Sequence, residues 1–352
     1  MEIKYSIRPL RNRRLRGRSE PRFPVPFVVG VGRSGTTLLR LMLDTHPELA
    51  IPPETHFVNP FIQASGRLRF NPRTATRTIV DDERRRWNDF GLREEDLLAR
   101  FEAIEPFNTT DALRAFYELY ASKHGKPRWG DKTPDYIRKM KKIQKAIPEA
   151  RFIHVIRDGR DAGLSQNSRL VRRGREPLPP REMARRWRKR IVKALEDSKE
   201  IEHYLEVRYE DLVSDTETIL RRVCEHIEIE YDPVMLRYYE RAEERLQEMA
   251  GALPAKKGRP EREAGERVAA HKMTTKPPDP NRLQVWKQEM TEEENAEFEE
   301  SAGYLLEQLG YETVTPRERW IPPDEWAGAK RPSQRGNGRR RLLRLLGRNG
   351  GS

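Results

Sequence analysis

Five consecutive residues concentrate the chemistry of this sequence: Arg33-Ser34-Gly35-Thr36-Thr37. A guanidinium, three hydroxyls and a glycine offer a dense set of hydrogen-bond donors to an oxyanion. Gly30 and Gly35 stand at the G-x-x-x-x-G spacing of a phosphate-binding loop, yet the next residue is Thr36, where a nucleotide triphosphatase carries Lys. The cation lies inside the loop, at Arg33. That combination points to a phosphate-like anion bound for something other than ordinary ATP or GTP hydrolysis. Further along, Glu54 follows Pro52-Pro53 and offers a carboxylate for general-base work. Lys132, within Gly130-Asp131-Lys132-Thr133-Pro134, is a second cation. Arg157 and Ser165, with Arg169 four residues beyond, make a further anion-binding set.

These groups meet only if a scaffold brings them together. Phe27-Val28-Val29 has the β-branched, apolar composition of a buried strand. Leu38, Leu39, Leu41, Met42 and Leu43 follow the loop with good helix formers. Strand, glycine turn and helix aim turn N–H groups and a helix N-terminus at an anion. Leu49 to Ile51 reads as a second short strand, stopped by Pro52-Pro53. Glu54 then falls just past a strand end, where an open parallel sheet places ligand chemistry. Trp129 reads as core and Gly130 as another strand end, with Thr133-Pro134 opening a helix. Arg151 to Ile156 is a clear strand, and His154 within it reads as buried. Arg157 closes that strand, and Ser165 lies about two turns along the next helix. Tyr204 to Tyr209 is one more strand. Residues 57–125 read as charged helices covering the substrate side, with no chemistry of their own. Residues 251–280 read as a surface loop long enough to suspect function.

The expected fold class is therefore α/β: a P-loop-type parallel sheet flanked by helices, with helical lid segments and flexible basic termini. The 352 residues allow one large domain or two small ones. Hydrophobic and charged residues each make up 36%, so a compact core must coexist with polar helices and disordered ends. A net charge of +13 suits anionic ligands without choosing among them. A single cysteine, Cys224, excludes an internal disulfide framework and fits a reducing, cytoplasmic location. The first 22 residues lack the apolar stretch of a secretory signal, and no apolar run approaches the ~20 residues of a membrane span. No cluster suggests a metal site. Residues 1–22 read as a flexible basic arm and 313–352 as a flexible basic tail. Within the tail, Arg339-Arg340-Arg341-Leu342-Leu343-Arg344-Leu345-Leu346 has the pattern of a short helix for peripheral membrane contact.

In their order along the chain, these pieces resemble the sulfotransferases that use 3′-phosphoadenosine 5′-phosphosulfate (PAPS), and most nearly the tyrosylprotein sulfotransferase-like branch. Arg33 to Thr37 looks like that family's 5′-phosphosulfate loop, and Arg157 with Ser165 like its 3′-phosphate site. Glu54-Thr55 after a His-Pro, Asp131-Lys132 before a short helix, Tyr209-Glu210 on a late strand, Arg169 and Lys276-Pro277 have counterparts in the branch. Val285 before Trp286 departs from it, since the branch carries Lys there. The resemblance implies a sulfotransferase domain over residues 23–312, PAPS as co-substrate and no metal. It implies that Glu54 is the general base, that Arg33 and Lys132 stabilise the leaving group, and that Ser34, Gly35, Thr36 and Thr37 cradle the 5′ end. Arg157, Ser165 and Arg169 would hold the 3′-phosphate, with Tyr209 and Lys276 completing the nucleotide pocket. The acceptor is a hydroxyl or amine of a small molecule, lipid, carbohydrate or peptide. A P-loop nucleotide kinase is the first rival, opposed by Thr36 in place of Lys. The second is a nucleic-acid-binding protein using the Arg-rich ends, opposed by the ordered cleft motifs. Oligomeric state has no sequence signature.

Overall fold

A computed structural model describes residues 23–65, 70–81, 86–253, 261 and 263–327. The expected basic arm, and the expected membrane-contacting helix within the tail, lie outside the described residues. Four strands form the central sheet: β1 (Val25–Gly30), β4 (Asp131–Lys132), β5 (Ala150–Ile156) and β6 (Tyr204–Arg208), in the order β4-β1-β5-β6. All three pairings are parallel. The other two strands, β2 (Leu49–Ala50) and β3 (Arg128–Trp129), pair with each other in a separate small ribbon. The second strand read from the sequence therefore exists, but beside the main sheet and not within it.

Every residue of β1 is buried, as a strand covered on both faces requires. Its side chains alternate between two cores. Phe27 and Val29 join Phe152, Phe57, Phe61 and Phe116 on one face. Val28 joins Leu39, Leu43, Ile153, Val155 and Leu220 on the other. The register pairs Gly30 with Val155, and Ile156 with Arg208. The C-terminal tips of β1, β5 and β6 thus end side by side, so the turns that leave them face one cleft.

The helix Thr36–Thr45 leaves β1, the helix Gly159–Val171 leaves β5, and the helix Tyr209–Ser214 leaves β6. Helices Pro180–Ser198 and Glu292–Gln308 close a third apolar cluster through Trp187, Ile191, Phe298 and Leu305. Helices Val58–Ala64, Pro72–Val80, Glu94–Glu102 and Thr109–Lys123 form the opposite wall around an aromatic cluster.

The expected boundary at residue 312 is too early. The Val314 and Thr315 amides donate to the buried Glu299 carboxylate (3.1 and 2.6 Å to Oε2), and the Ile321 amide donates to the Glu300 carbonyl (2.8 Å). Trp320 fills the space over Gly303, where a Cβ would lie 2.3 Å from the indole. The folded unit extends at least to these contacts, because Glu299, paired with the fully buried Arg160, needs the amides of residues 314 and 315 as donors.

Candidate active site

The turn after β1 is shaped by two left-handed residues, Arg33 at φ 75° and Gly35 at φ 94°. At Gly35 the requirement is also steric: a Cβ there would sit 2.2 Å from the Tyr209 ring. Gly35 caps the helix Thr36–Thr45 without a side-chain acceptor, so the first-turn N–H groups are left for an anion. Ser34 is buried, and its hydroxyl has no hydrogen-bond partner among the described residues. A buried hydroxyl without a partner is costly unless a ligand satisfies it.

Arg33 and Arg157 meet, as expected from adjacent strand tips. Arg33 Nε donates to Ser165 Oγ (3.0 Å), and Arg157 Nη1 donates to the Arg33 carbonyl (3.4 Å). Arg157 Nη2 donates to Asp161 Oδ2 (3.4 Å) and to the Arg282 carbonyl (2.9 Å). The Arg157 guanidinium covers the Tyr209 ring at 4.5 Å from its centroid, a cation–π contact. Its buried Nε has no partner among the described residues.

These groups surround a cavity of about 230 Å³ lined by Arg33, Arg157, Ser165, Arg172, Arg282 and Val285. Burial first, then the charges of Arg157, Arg172 and Arg282, push the Arg33 guanidinium below its usual value. Asp161 and Glu289 also line the cavity, but the four arginines outnumber these two carboxylates, and the excess positive charge invites an anion. Val285, the departure noted in the sequence, faces this cavity.

Two residues of the expected set, Arg169 and Lys276, lie off this cavity. Arg172, not Arg169, lines the cavity with Ser165 and Ser168. Arg169 lies on the neighbouring strip of the same helix, within electrostatic reach of Arg173, Arg33, Glu54 and Arg86. Burial, then Arg173 and Arg33, push it down to about 10. Lys276 is exposed, and its carbonyl accepts from Tyr238 (2.5 Å). From the same segment, Ala269, Ala270 and Met273 line the cavity instead.

At the other end of the cleft stands Glu54. Lys132 Nζ donates to its Oε1 (3.0 Å) and to Thr37 Oγ1 (3.3 Å), joining carboxylate to loop. Arg86 Nη1 donates to Oε2 (3.3 Å), and His56 Nε2 lies 3.0 Å from the same oxygen. Burial pushes this carboxyl up, but Lys132, His56 and Arg86 together hold it well below the usual range. Burial pushes Lys132 down, against the pull of Glu54. The expectation that residues 57–125 hold no chemistry therefore fails at Arg86.

Thr36 and Thr37 are buried in the first helical turn. Asp131, beside Lys132, accepts at Oδ2 from Thr55 Oγ1 (2.8 Å) and from Tyr117 OH (2.9 Å), tying the segment that carries Glu54 to the sheet. His271 also lies in the field of Lys132, Arg33, Glu54 and Arg169; burial, then Lys132 and Arg33, push its imidazole down to about 3. His154 is buried in β5 against Tyr204 OH (2.5 Å), away from this cleft.

The family model described as "Sulfotransferase family" matches residues 24–233, well over half the chain. The chain belongs to the sulfotransferase family. Among its relatives, protein-tyrosine sulfotransferase 1 of Danio rerio is 29% identical over 221 residues, covering 62% of this chain and 56% of that protein. The protein-tyrosine sulfotransferase of Drosophila melanogaster is 26% identical over 222 residues, covering 62% of this chain and 40% of that one. The match thus spans about half the length of these relatives. Among solved structures, the sulfotransferase domain of the Synechococcus PCC 7002 olefin synthase superposes with a TM-score of 0.51 at 20% identity, covering 83% of this chain and 96% of that domain. That likeness establishes the α/β sulfotransferase fold; the site rests on the geometry above.

Proposed function

We propose that this sulfotransferase-family chain transfers a sulfuryl group from PAPS to a hydroxyl or amine of its acceptor. The observation that carries this reading is the pair of linked cationic centres, Arg33 with Arg157, opening at one end onto Glu54 and Lys132. A single elongated ligand with an anionic group at each end fits these two centres, and the Ser34 hydroxyl and Arg157 Nε, which lack partners among the described residues, fit its oxyanions. When bound, PAPS supplies an activated sulfuryl group. The protein's part is positioning and fixed positive charge.

In this reading Ser34, Thr36, Thr37 and the loop amides hold the 5′ end beside Arg33. Arg157, Ser165, Arg172 and Arg282 hold the 3′-phosphate, and Tyr209 supports the nucleotide. Arg169, next to Arg33 and Glu54, neutralises charge nearer the reacting end. Lys132 is shared between loop and base, so a phosphate at the loop draws its ammonium away from Glu54. Glu54 then loses its strongest neutralising partner and becomes a better proton acceptor.

The relatives' names support a peptide or protein hydroxyl as acceptor, and we propose that class first. The single cysteine, Cys224, buried and unpaired with any other, supports a reducing, cytoplasmic setting. The test is calorimetric titration with 3′-phosphoadenosine 5′-phosphate, together with mass spectrometry of a cell extract incubated with the protein and PAPS. The expected results are tight nucleotide binding and products about 80 mass units heavier, the increment of one SO₃ group in base-assisted transfer. Magnesium-dependent consumption of ATP with no such product would instead favour a kinase.

A further inference from the structure

Thr55-His56-Phe57 makes a turn that the sequence gives no reason to expect. The Phe57 amide donates to the Thr55 carbonyl (2.8 Å), and His56 between them has φ 59°. A three-residue turn with a positive central φ is rare and strained, and a non-glycine residue at its centre is rarer. Both flanks are clamped. Thr55 Oγ1 is held by Asp131 Oδ2 (2.8 Å) and Tyr136 OH (2.9 Å), and the Thr55 amide donates to Thr133 Oγ1 (3.1 Å). Phe57 is packed edge-on against Phe116 at 4.7 Å between centroids. The strained residue's ring is delivered to Glu54 Oε2 at 3.0 Å. Backbone strain of this kind persists at sites where an aimed side chain is needed.

We propose that His56 is a positioning residue for Glu54: it grips Oε2 so that Oε1 stays aimed at the acceptor when the donor draws Lys132 away. The inference rests on the reading of Glu54 as general base. Its logic is the division of the carboxylate. Among the described residues, Oε1 is held only from the donor side, by Lys132, which also contacts the loop residue Thr37. Oε2 is held by His56 and Arg86, neither of which contributes to the donor cavity. An ionised carboxylate only accepts, so the imidazole carries its proton on Nε2 and donates it. Once Lys132 turns to the leaving phosphate, Oε1 is open to the acceptor's proton, while the Oε2 contacts keep the group from rotating out of line. A misaimed base loses rate without losing donor affinity.

His56→Gly separates this role from a structural one, because it removes the ring and the backbone strain together. We expect an unfolding temperature equal to or above that of the wild type, unchanged affinity for 3′-phosphoadenosine 5′-phosphate, and turnover on the extract acceptors reduced about tenfold to a hundredfold. Added imidazole should recover part of the lost rate in His56→Gly and none in Glu54→Ala. His56→Gln, which keeps an N–H donor, should retain more activity than His56→Gly. Wild-type rates in His56→Gly, or a loss that imidazole leaves untouched while the nucleotide still binds, would overturn the inference alone. A wild-type chain that binds no 3′-phosphoadenosine 5′-phosphate would overturn the reading of the site, and the inference with it.

Discussion

Arg33 and Arg157 reach the cleft from the tips of two hydrogen-bonded parallel strands, whereas Arg86 and His56 reach it from an irregular wall held by aromatic packing. The first pair is placed by backbone register: β1 and β5 run in step from Val25 with Ala150 to Gly30 with Val155. The second pair is placed by what surrounds it. His56 depends on the clamped Thr55 and Phe57, and Arg86 on the turn Trp87–Phe90, whose Phe90 packs on Phe57 and Phe116 at 6.2 and 5.0 Å. The donor wall is therefore a product of local sequence and sheet geometry. The acceptor wall is a product of tertiary packing, where similar charges can be rearranged without disturbing the sheet.

If that division is right, the sharpest break comes at Glu54, which faces both walls. Glu54→Ala should lower turnover by about a thousandfold, within the range for loss of a general base, while leaving affinity for 3′-phosphoadenosine 5′-phosphate nearly unchanged. A parallel loss of nucleotide binding would show that the two walls are not separable.

The next effect concerns the joint between them, Asp131. Burial pushes its carboxyl up to about 6, against hydrogen bonds from Thr55 and Tyr117. A carboxyl whose folded value is raised contributes stability that is complete below its unfolded value and is lost as pH rises through about 6. The shift corresponds to about 3 kcal/mol in all, of which about 2.4 kcal/mol falls between pH 4 and pH 8. Denaturant titrations should show the stability of the wild type falling by this amount relative to Asp131→Asn as pH rises, the other carboxyls being common to both. Equal slopes would mean that Asp131 stays ionised in the fold.

On the donor side, Arg157→Ala should weaken 3′-phosphoadenosine 5′-phosphate by about thirtyfold, since it removes charge-assisted hydrogen bonds worth about 2 kcal/mol, and should change 5′-AMP far less. Equal losses for both nucleotides would move the 3′-phosphate elsewhere. On the acceptor side the smallest effect is expected from Arg86→Ala, about fivefold to tenfold in turnover, because one partly exposed cation among the three partners of Glu54 is worth about 1 kcal/mol. Calorimetry should find its nucleotide binding intact.

The same division explains what could be read in advance. Strand, glycine turn and helix at residues 27–43 are neighbours in sequence, so the loop and its cation were legible. Arg157 and Ser165 were legible because a strand end and a helical spacing fix them locally. Arg172 was missed because the residues 165, 168 and 172 share the cavity face, and the fourfold step to Arg169 looked equally good. Arg282 was missed because it lies in a loop without periodicity. Arg86 ends a run of three arginines, Arg84-Arg85-Arg86, in which nothing local marks one as special. Its single clue is the adjoining Trp87, a partly buried aromatic residue in an otherwise charged stretch. His56 needed the left-handed turn; histidine is among the non-glycine residues enriched at positive φ, but that weak preference does not pick out one position in the chain. Residues 313–327 read as tail because the composition changes from about Glu312, while the demand of Glu299 for donors is visible only in three dimensions.

Tyr209 occupies the volume that any side chain at position 35 would need, and its ring also carries Arg157. Positions 35, 157 and 209 come from three separate stretches of chain, yet they interlock like a three-part key. A laboratory library that varies the β1 loop alone to recruit a different donor should yield mostly inactive clones. One that randomises all three positions at once leaves room for the ring and the guanidinium to find a new arrangement.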